Sequence, residues 1–336
     1  MTIHAIGFGS LNLDEIWETT RDFLEDHHLR PGSEYVRDIA WFERVYPLLK
    51  ANGTRKALEP GGSAANMIAA LARMGFETGF YGTTGKDDAK FLRLQDLGKP
   101  QNLRVRQMDV PAGRCLALID REDDDKDRVL VILPNANDHA GAREPEVEYF
   151  EQAQWVHLTS FVSSGPLQAQ VRLVETLSQA VKVSFDPGAI YCEKGLETLR
   201  PLLKRANLLF VTTEELQKLT GERSFEQGAS LLLGMGISTI VVKMGAEGIG
   251  VFVPRKFIMR PAVSPGELKD RTGAGDVAAA GFLAGMLESI DLEECLLLAA
   301  AAASKSIEGY GRSSYPDKSF FRLQLSRLGK TRRSRG

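Results

Sequence analysis

An α/β fold with a mostly parallel central sheet covered by helices follows from two features of the sequence. From Ala153 onward, apolar runs of strand length recur at Trp155 to Thr159, Val181 to Phe185, Leu208 to Val211 and Thr239 to Lys243, separated by helix-length segments such as Leu167 to Gln179. Apolar strands alternating with helices belong in a parallel sheet buried on both faces. Ile3 to Phe8 and Phe76 to Tyr81 read as two further short strands. Ligands of such sheets gather at the carboxyl ends of the strands, which singles out Asp186, Thr212 to Glu215 and Gly245 to Gly248.

Taken in order, the first strand leads into Gly9-Ser10-Leu11-Asn12-Leu13-Asp14. On an extended chain Asn12 and Asp14 share one face. They either turn the chain or hold two neighbouring hydroxyls. Glu15 to Leu58 does not look like core, being rich in charge and in aromatics: Trp17, Phe23, Tyr35, Trp41, Phe42 and Tyr46. Within it, Ile39, Phe42, Val45, Tyr46 and Leu49 make one helical stripe. That stripe either packs the segment or lends aromatics to cover a base or ring. Gly61 and Gly62 then precede a helix through Met74, where bare backbone lets a ligand lie close. Leu103 to Met108, Cys115 to Asp120 and Val129 to Leu133 are strand-like, and Arg121 to Arg128 reads as a solvated hairpin end.

Asp270-Arg271-Thr272-Gly273-Ala274-Gly275-Asp276 opens the small-residue run Val277 to Leu287. The amides from Gly273 to Asp276 should stand uncapped at the positive end of that helix, forming an anion hole. A carboxylate beside them, Asp276, is placed to take the proton of an attacking hydroxyl. An acid in a first helical turn is also favoured by the dipole alone. On spacing alone, cap and site are equal readings.

The septet resembles the D-T-x-G-A-G-D signature of the ribokinase-like (PfkB) carbohydrate and nucleoside kinases, departing from it at Arg271. Gly61-Gly62-Ser63-Ala64-Ala65-Asn66 resembles the G-G-x-x-x-N signature of the same family, Gly82 to Asp88 its G-x-x-G-x-D-D turn, and Asp22 to Ser33 a segment of its adenosine-kinase-like branch. The resemblance runs from about Ile3 to about Pro316. It implies a single ribokinase-like three-layer domain over residues 1–336, with a small β lid drawn roughly from 12–60 and 103–133. It also implies transfer of the γ-phosphoryl group of ATP, with Mg2+, to a hydroxymethyl group of a sugar or nucleoside.

The resemblance assigns roles residue by residue. Asn12, Asp14, Gly61, Gly62 and Asn66 face the acceptor. Thr212, Lys243, Gly245 and Gly248, with Gly273 and Gly275, lie against ATP. Asp276 is the base, beside the anion hole of Gly273, Ala274 and Gly275. Thr212 and Glu215 stand at the N-x-x-E motif, with Thr212 in place of Asn, and Glu215 organises Mg2+ through water. Asp270 and Thr272, with Gly309 to Ser314, occupy the place of a monovalent-cation (K+) site, where an Arg271 guanidinium could replace the ion. Lid edges pair in some relatives, so a homodimer through the lid is one implied assembly. A non-catalytic nucleotide- or sugar-binding descendant is the alternative. A dinucleotide-binding dehydrogenase fares worse, because Gly7-Phe8-Gly9-Ser10-Leu11-Asn12 lacks the last glycine of G-x-G-x-x-G.

Composition narrows the partners. The 336 residues carry a net charge of -2, which gives no reason to expect nucleic acid or a membrane surface. Cys115, Cys192 and Cys295 are scattered and odd in number, as reduced thiols are. No apolar run spans a bilayer and no signal-peptide pattern opens the chain, so the expectation is a cytoplasmic protein acting on small molecules. Lys330 to Gly336 is expected to be a disordered basic tail.

Overall fold

The computed structural model describes residues 2–86, 89–122 and 128–335. Strands β1 to β14 span Ile3–Phe8, Asn12–Thr19, Glu34–Val36, Thr54–Gly61, Thr78–Gly85, Leu103–Met108, Gly113–Asp120, Arg128–Leu133, Ala153–Thr159, Lys182–Asp186, Leu208–Thr212, Thr239–Lys243, Ile249–Val253 and Lys256–Arg260. Nine of them form one sheet in the order β14-β13-β12-β11-β10-β9-β1-β5-β6. It is parallel from β12 to β6, with the β13–β14 hairpin added antiparallel at one edge.

Both faces are covered. Helices Ser164–Thr176, Leu196–Arg205, Thr213–Thr220 and Phe225–Gly234 bury one apolar cluster. Helices Ser63–Met74, Ala274–Leu287 and Leu292–Ser306 bury the other. The expected three-layer α/β architecture is the one found. Small residues set the closest helix contact. A Cβ at Gly281 would stand 2.9 Å from the Ala299 Cα, and one at Gly285 would stand 2.7 Å from the Cys295 Sγ. The Ala-rich run of Leu292–Ser306 therefore serves two purposes: Ala299 and Ala302 meet the neighbouring helix, while Ala300 and Ala303 face a cavity.

The other five strands form a separate sheet, β3-β8-β7-β2-β4. It has its own core of Trp17, Phe23, Leu24, Leu29, Trp41, Val45 and Leu49 against Leu116, Leu118, Val129 and Val131. This lid departs from the expectations in four respects. β6 is not part of it: Leu103–Met108 pairs in parallel register with Phe80 to Gly85 at the edge of the large sheet, since an apolar strand pattern does not name its partner. The helix Ile39–Asn52 buries Trp41, Val45 and Leu49 rather than the whole anticipated stripe, and Ile39 is exposed. Phe42 and Tyr46 stack on each other at 4.4 Å, in a pocket with Lys50, Arg55 and Arg114 that is separate from the cavity between the sheets described below. Finally, Arg128 is not a solvated tip residue but is ion-paired to Asp270 at 3.1 Å.

Gly82 to Gly85 end β5, whereas Asp87 and Asp88 of the expected turn and residues 123–127 of the charged tip lie outside the described residues. The helix Lys318–Arg335 runs through the segment expected to be a disordered tail. No helix among the described residues is long and apolar enough to cross a membrane.

Candidate active site

The two glycine-bearing turns meet. Gly62, with φ at +98°, is the N-cap of Ser63–Met74, and Gly273, at +75°, is the N-cap of Ala274–Leu287. Across the gap the Asn66 side-chain amide donates to the Asp276 Oδ2 at 3.0 Å. Neither helix start carries a side-chain cap, so the first-turn amides keep the dipole's positive end open. One expected member of the anion hole is already engaged: the Ala274 N–H donates to the Arg271 carbonyl at 3.2 Å.

Two cavities flank this junction and share Lys243 and Gly275. The first, of about 280 Å³, lies between the large sheet and the lid and is lined by Asn12, Asp14, Gly62, Asn66, Asp186, Glu215, Gly273 and Asp276, among others. Asn12 is held by a residue the sequence reading missed. The Asn137 amide donates to the Asn12 Oδ1 at 2.8 Å, and the Asn137 Oδ1 accepts from the Leu11 N–H at 2.9 Å. Asp14 lies over Gly61, where a Cβ would stand 2.0 to 2.2 Å from its carboxylate atoms. Gly61 is thus a space requirement of Asp14 itself. Glu34, from β3 of the lid, also lines this cavity and was not anticipated.

The second cavity, of about 500 Å³, is bounded by Gly245, Gly248, Ile249, Val263, Arg271, Ala300, Ala303 and Ile307. Gly245 and Gly248 have φ of +55° and +123°, and a Cβ at Gly248 would meet the Arg260 carbonyl at 2.1 Å. The turn therefore requires glycine and leaves bare backbone toward the cavity. Its size and lining fit a nucleotide.

Charges concentrate where the cavities join. The Lys243 Nζ donates to the Asp186 Oδ2 at 2.6 Å. Burial alone would lower the lysine, but Asp186, Glu215 and Asp276 around it hold it above the usual range. Burial pushes Asp276 up to about 7, with the Asn66 amide opposing and Asp186 adding to the rise. Burial likewise pushes Asp14 up to about 7 against the pull of Arg312, and Glu34 up to about 7 with repulsion from Glu215.

Thr212 lines neither cavity. Its hydroxyl accepts from the Glu215 N–H at 3.1 Å while the Glu215 carboxylate accepts from the Thr212 N–H at 2.7 Å, a capping box that fully explains the pair's spacing. Glu215 still reaches the smaller cavity. No group of three or more potential metal ligands occurs among the described residues. Asp186 and Glu215 therefore suit a hydrated Mg2+ carried on phosphates rather than an ion caged by protein. In the K+ place a guanidinium already stands against the Asp270 carboxylate, whose Oδ2 is buried without a hydrogen-bond partner. The Asp270 Oδ1 accepts from Arg128 Nη1 at 3.1 Å, from Thr272 N at 2.9 Å and from Thr272 Oγ1 at 2.7 Å. The guanidinium there is that of Arg128, while Arg271 is exposed and faces the larger cavity.

Residues 40–318 match the model of the pfkB family carbohydrate kinases. A protein of Archaeoglobus fulgidus described as an uncharacterized sugar kinase is 32% identical over 249 residues, covering 72% of this chain and 95% of that one. The ATP-dependent ribose-1-phosphate kinase of Halopiger xanaduensis is 31% identical, covering 76% of this chain and 83% of its own. The crystal structure of adenosine kinase from Sinorhizobium meliloti superposes with a TM-score of 0.84 at 19% identity, over 97% of this chain and 100% of that one. The three-layer fold is that of these structures, and the chain belongs to the pfkB family of carbohydrate kinases, a family of sugar and nucleoside kinases with the ribokinase fold.

Proposed function

We propose that this chain moves the γ-phosphoryl group of ATP to a hydroxymethyl group of an uncharged sugar or nucleoside. The observation that carries the reading is the 3.0 Å hydrogen bond between Asn66 and Asp276, which ties the acceptor turn to the phosphate turn where the two cavities join. ATP would lie along Gly245, Gly248 and Ala300 and supply the phosphoryl group, with Mg2+ on its phosphates near Asp186 and Glu215.

In this reading Asn12 and Asp14 bind acceptor hydroxyls, Asn12 being pre-set by Asn137. Asp276 takes the proton of the attacking hydroxyl as the new O–P bond forms and the bond to the ADP oxygen breaks. The uncapped amides at Gly273 and Gly275 meet charge on the transferred group, at little reorganisation cost. Lys243, held charged by Asp186, offsets negative charge at the same point. A carboxyl near 7 is well matched to this task, since about half of it is ionised at neutral pH and it is basic enough to accept a proton.

The acceptor class follows from the charges on its walls. Among the described residues the smaller cavity is lined by five acids, Asp14, Glu34, Asp186, Glu215 and Asp276, and one lysine, itself paired to Asp186. A phosphorylated sugar would meet repulsion and no free cation there. Leu130, Ile132, Phe161 and Ile190 supply apolar walls that suit a ring without charge. The test is ADP release by purified protein with ATP and Mg2+ against nucleosides, pentoses, hexoses and hexose phosphates. Release with an uncharged acceptor is expected, and release with hexose phosphates alone would reverse the assignment.

A further inference from the structure

The acid that opens the phosphate turn is fastened on two sides. The Asp270 N–H donates to the Ile307 carbonyl at 3.3 Å, next to the end of helix Leu292–Ser306. Its carboxylate accepts from Arg128 and from both the N–H and the hydroxyl of Thr272, and Arg128 also donates to the Thr272 hydroxyl. Arg128 and Asp270 are both shielded, with side chains 17% and 4% exposed. Arg128 is the first residue of β8, and Leu130 and Ile132 on the same strand line the acceptor cavity. One lid strand therefore walls in the acceptor and grips the phosphate turn.

A buried acid needs a partner charge. An ion seated on Asp270 would stand beside the guanidinium, and like charges at that range in a shielded site repel strongly. We propose that Arg128 is a built-in substitute for a monovalent cation: it neutralises Asp270, orients Thr272 and so sets the Gly273–Gly275 turn. Because the charge arrives on the lid, the phosphate turn is set only when β8 is docked, which couples the two halves of the cleft. The chain then has no requirement for K+. Arg128 is a positioning residue, acting through Asp270 and Thr272. Its role in turnover rests on the kinase reading, but its salt response does not.

The test compares wild type, Arg128→Met and Arg128→Lys in potassium chloride and in tetramethylammonium chloride at equal ionic strength. Thermal melting is followed without nucleotide, then Mg-ADP binding by calorimetry. Wild type should melt at the same temperature and bind ADP equally in both salts. Arg128→Met should melt lower without K+, recover with it, and bind ADP about tenfold more weakly in tetramethylammonium, the cost of leaving a shielded charge unpaired. Arg128→Lys should remain indifferent to the salt. A wild type that loses stability or ADP affinity when K+ is withdrawn overturns the proposal, as does an Arg128→Met protein blind to K+. If Arg128→Met does not fold, wild type and Arg128→Lys decide. Absence of ADP binding by wild type in either salt counts against the kinase reading, and the melting comparison still judges the role of Arg128.

Discussion

Replacing Asp276 by Asn separates two consequences of burying a carboxylate at the phosphate end of the cleft. Burial raises this group from 3.8 to about 7. At about 1.4 kcal/mol per unit, keeping it ionised above neutrality costs the fold up to about 4 kcal/mol relative to the unfolded chain. The sign follows from a folded-state value above the unfolded one. The penalty is absent below about pH 4, grows as pH rises toward about 7, and is complete above that. The amide removes the charge and leaves Asn66 an oxygen to donate to. Asp276→Asn should therefore melt above wild type at alkaline pH, by roughly 1–3 °C per kcal/mol relieved, and the two curves should converge in acid.

Turnover should move the opposite way. Loss of a general base costs ~10²–10⁴-fold in rate, with ADP affinity kept because Asn66, Lys243 and the glycine turns are untouched. Wild-type kcat/KM should rise with pH and level off above about 7. The assays are calorimetric melting across pH, ADP binding, and coupled ADP release with the best acceptor. A melting offset that is the same in acid and alkali would refute the electrostatic account, and turnover within tenfold of wild type would remove Asp276 as base.

Two glycine substitutions should divide the cleft into its halves. In Gly61→Ala the new methyl would stand 2.0 to 2.2 Å from the Asp14 carboxylate atoms, so Asp14 must shift. Acceptor KM should rise about tenfold or more, as when a hydrogen bond worth one to two kcal/mol is lost, while ADP binding by calorimetry is unchanged. In Gly248→Ala the residue must hold φ near +123° with its methyl 2.1 Å from the Arg260 carbonyl. ADP affinity should fall by a similar factor, with acceptor binding preserved when measured without nucleotide.

Some of the site was legible because its chemistry is carried by local backbone. Gly62 and Gly273 mark helix starts, the second with Asp276 in its first turn, and the structure brings Asn66 and Asp276 within hydrogen-bond distance across 210 positions of sequence. What was missed depends on pairings made at long range. Asn137 sits in an Asn-Ala-Asn-Asp stretch that reads only as a turn until its link to Asn12 is seen. Arg128 looked like one more charge in a hairpin tip, because its partner Asp270 lies 142 positions away. Thr212 was expected at the nucleotide because it stands at the N-x-x-E motif, but Thr-x-x-Glu is also the spacing of a capping box, and its hydroxyl caps the helix. β6 was placed in the lid because alternation identifies a strand but not its neighbour.

The most direct measurement is phosphorus NMR of the product formed by purified protein from ATP and Mg2+ with a panel of uncharged nucleosides and sugars. A shared cleft requires acceptor-dependent ADP release and a new phosphomonoester on a hydroxymethyl carbon. If an acceptor and ADP each bind, yet no phosphomonoester appears with any acceptor, the pairing of Asn66 with Asp276 serves recognition alone and the transferase account is wrong.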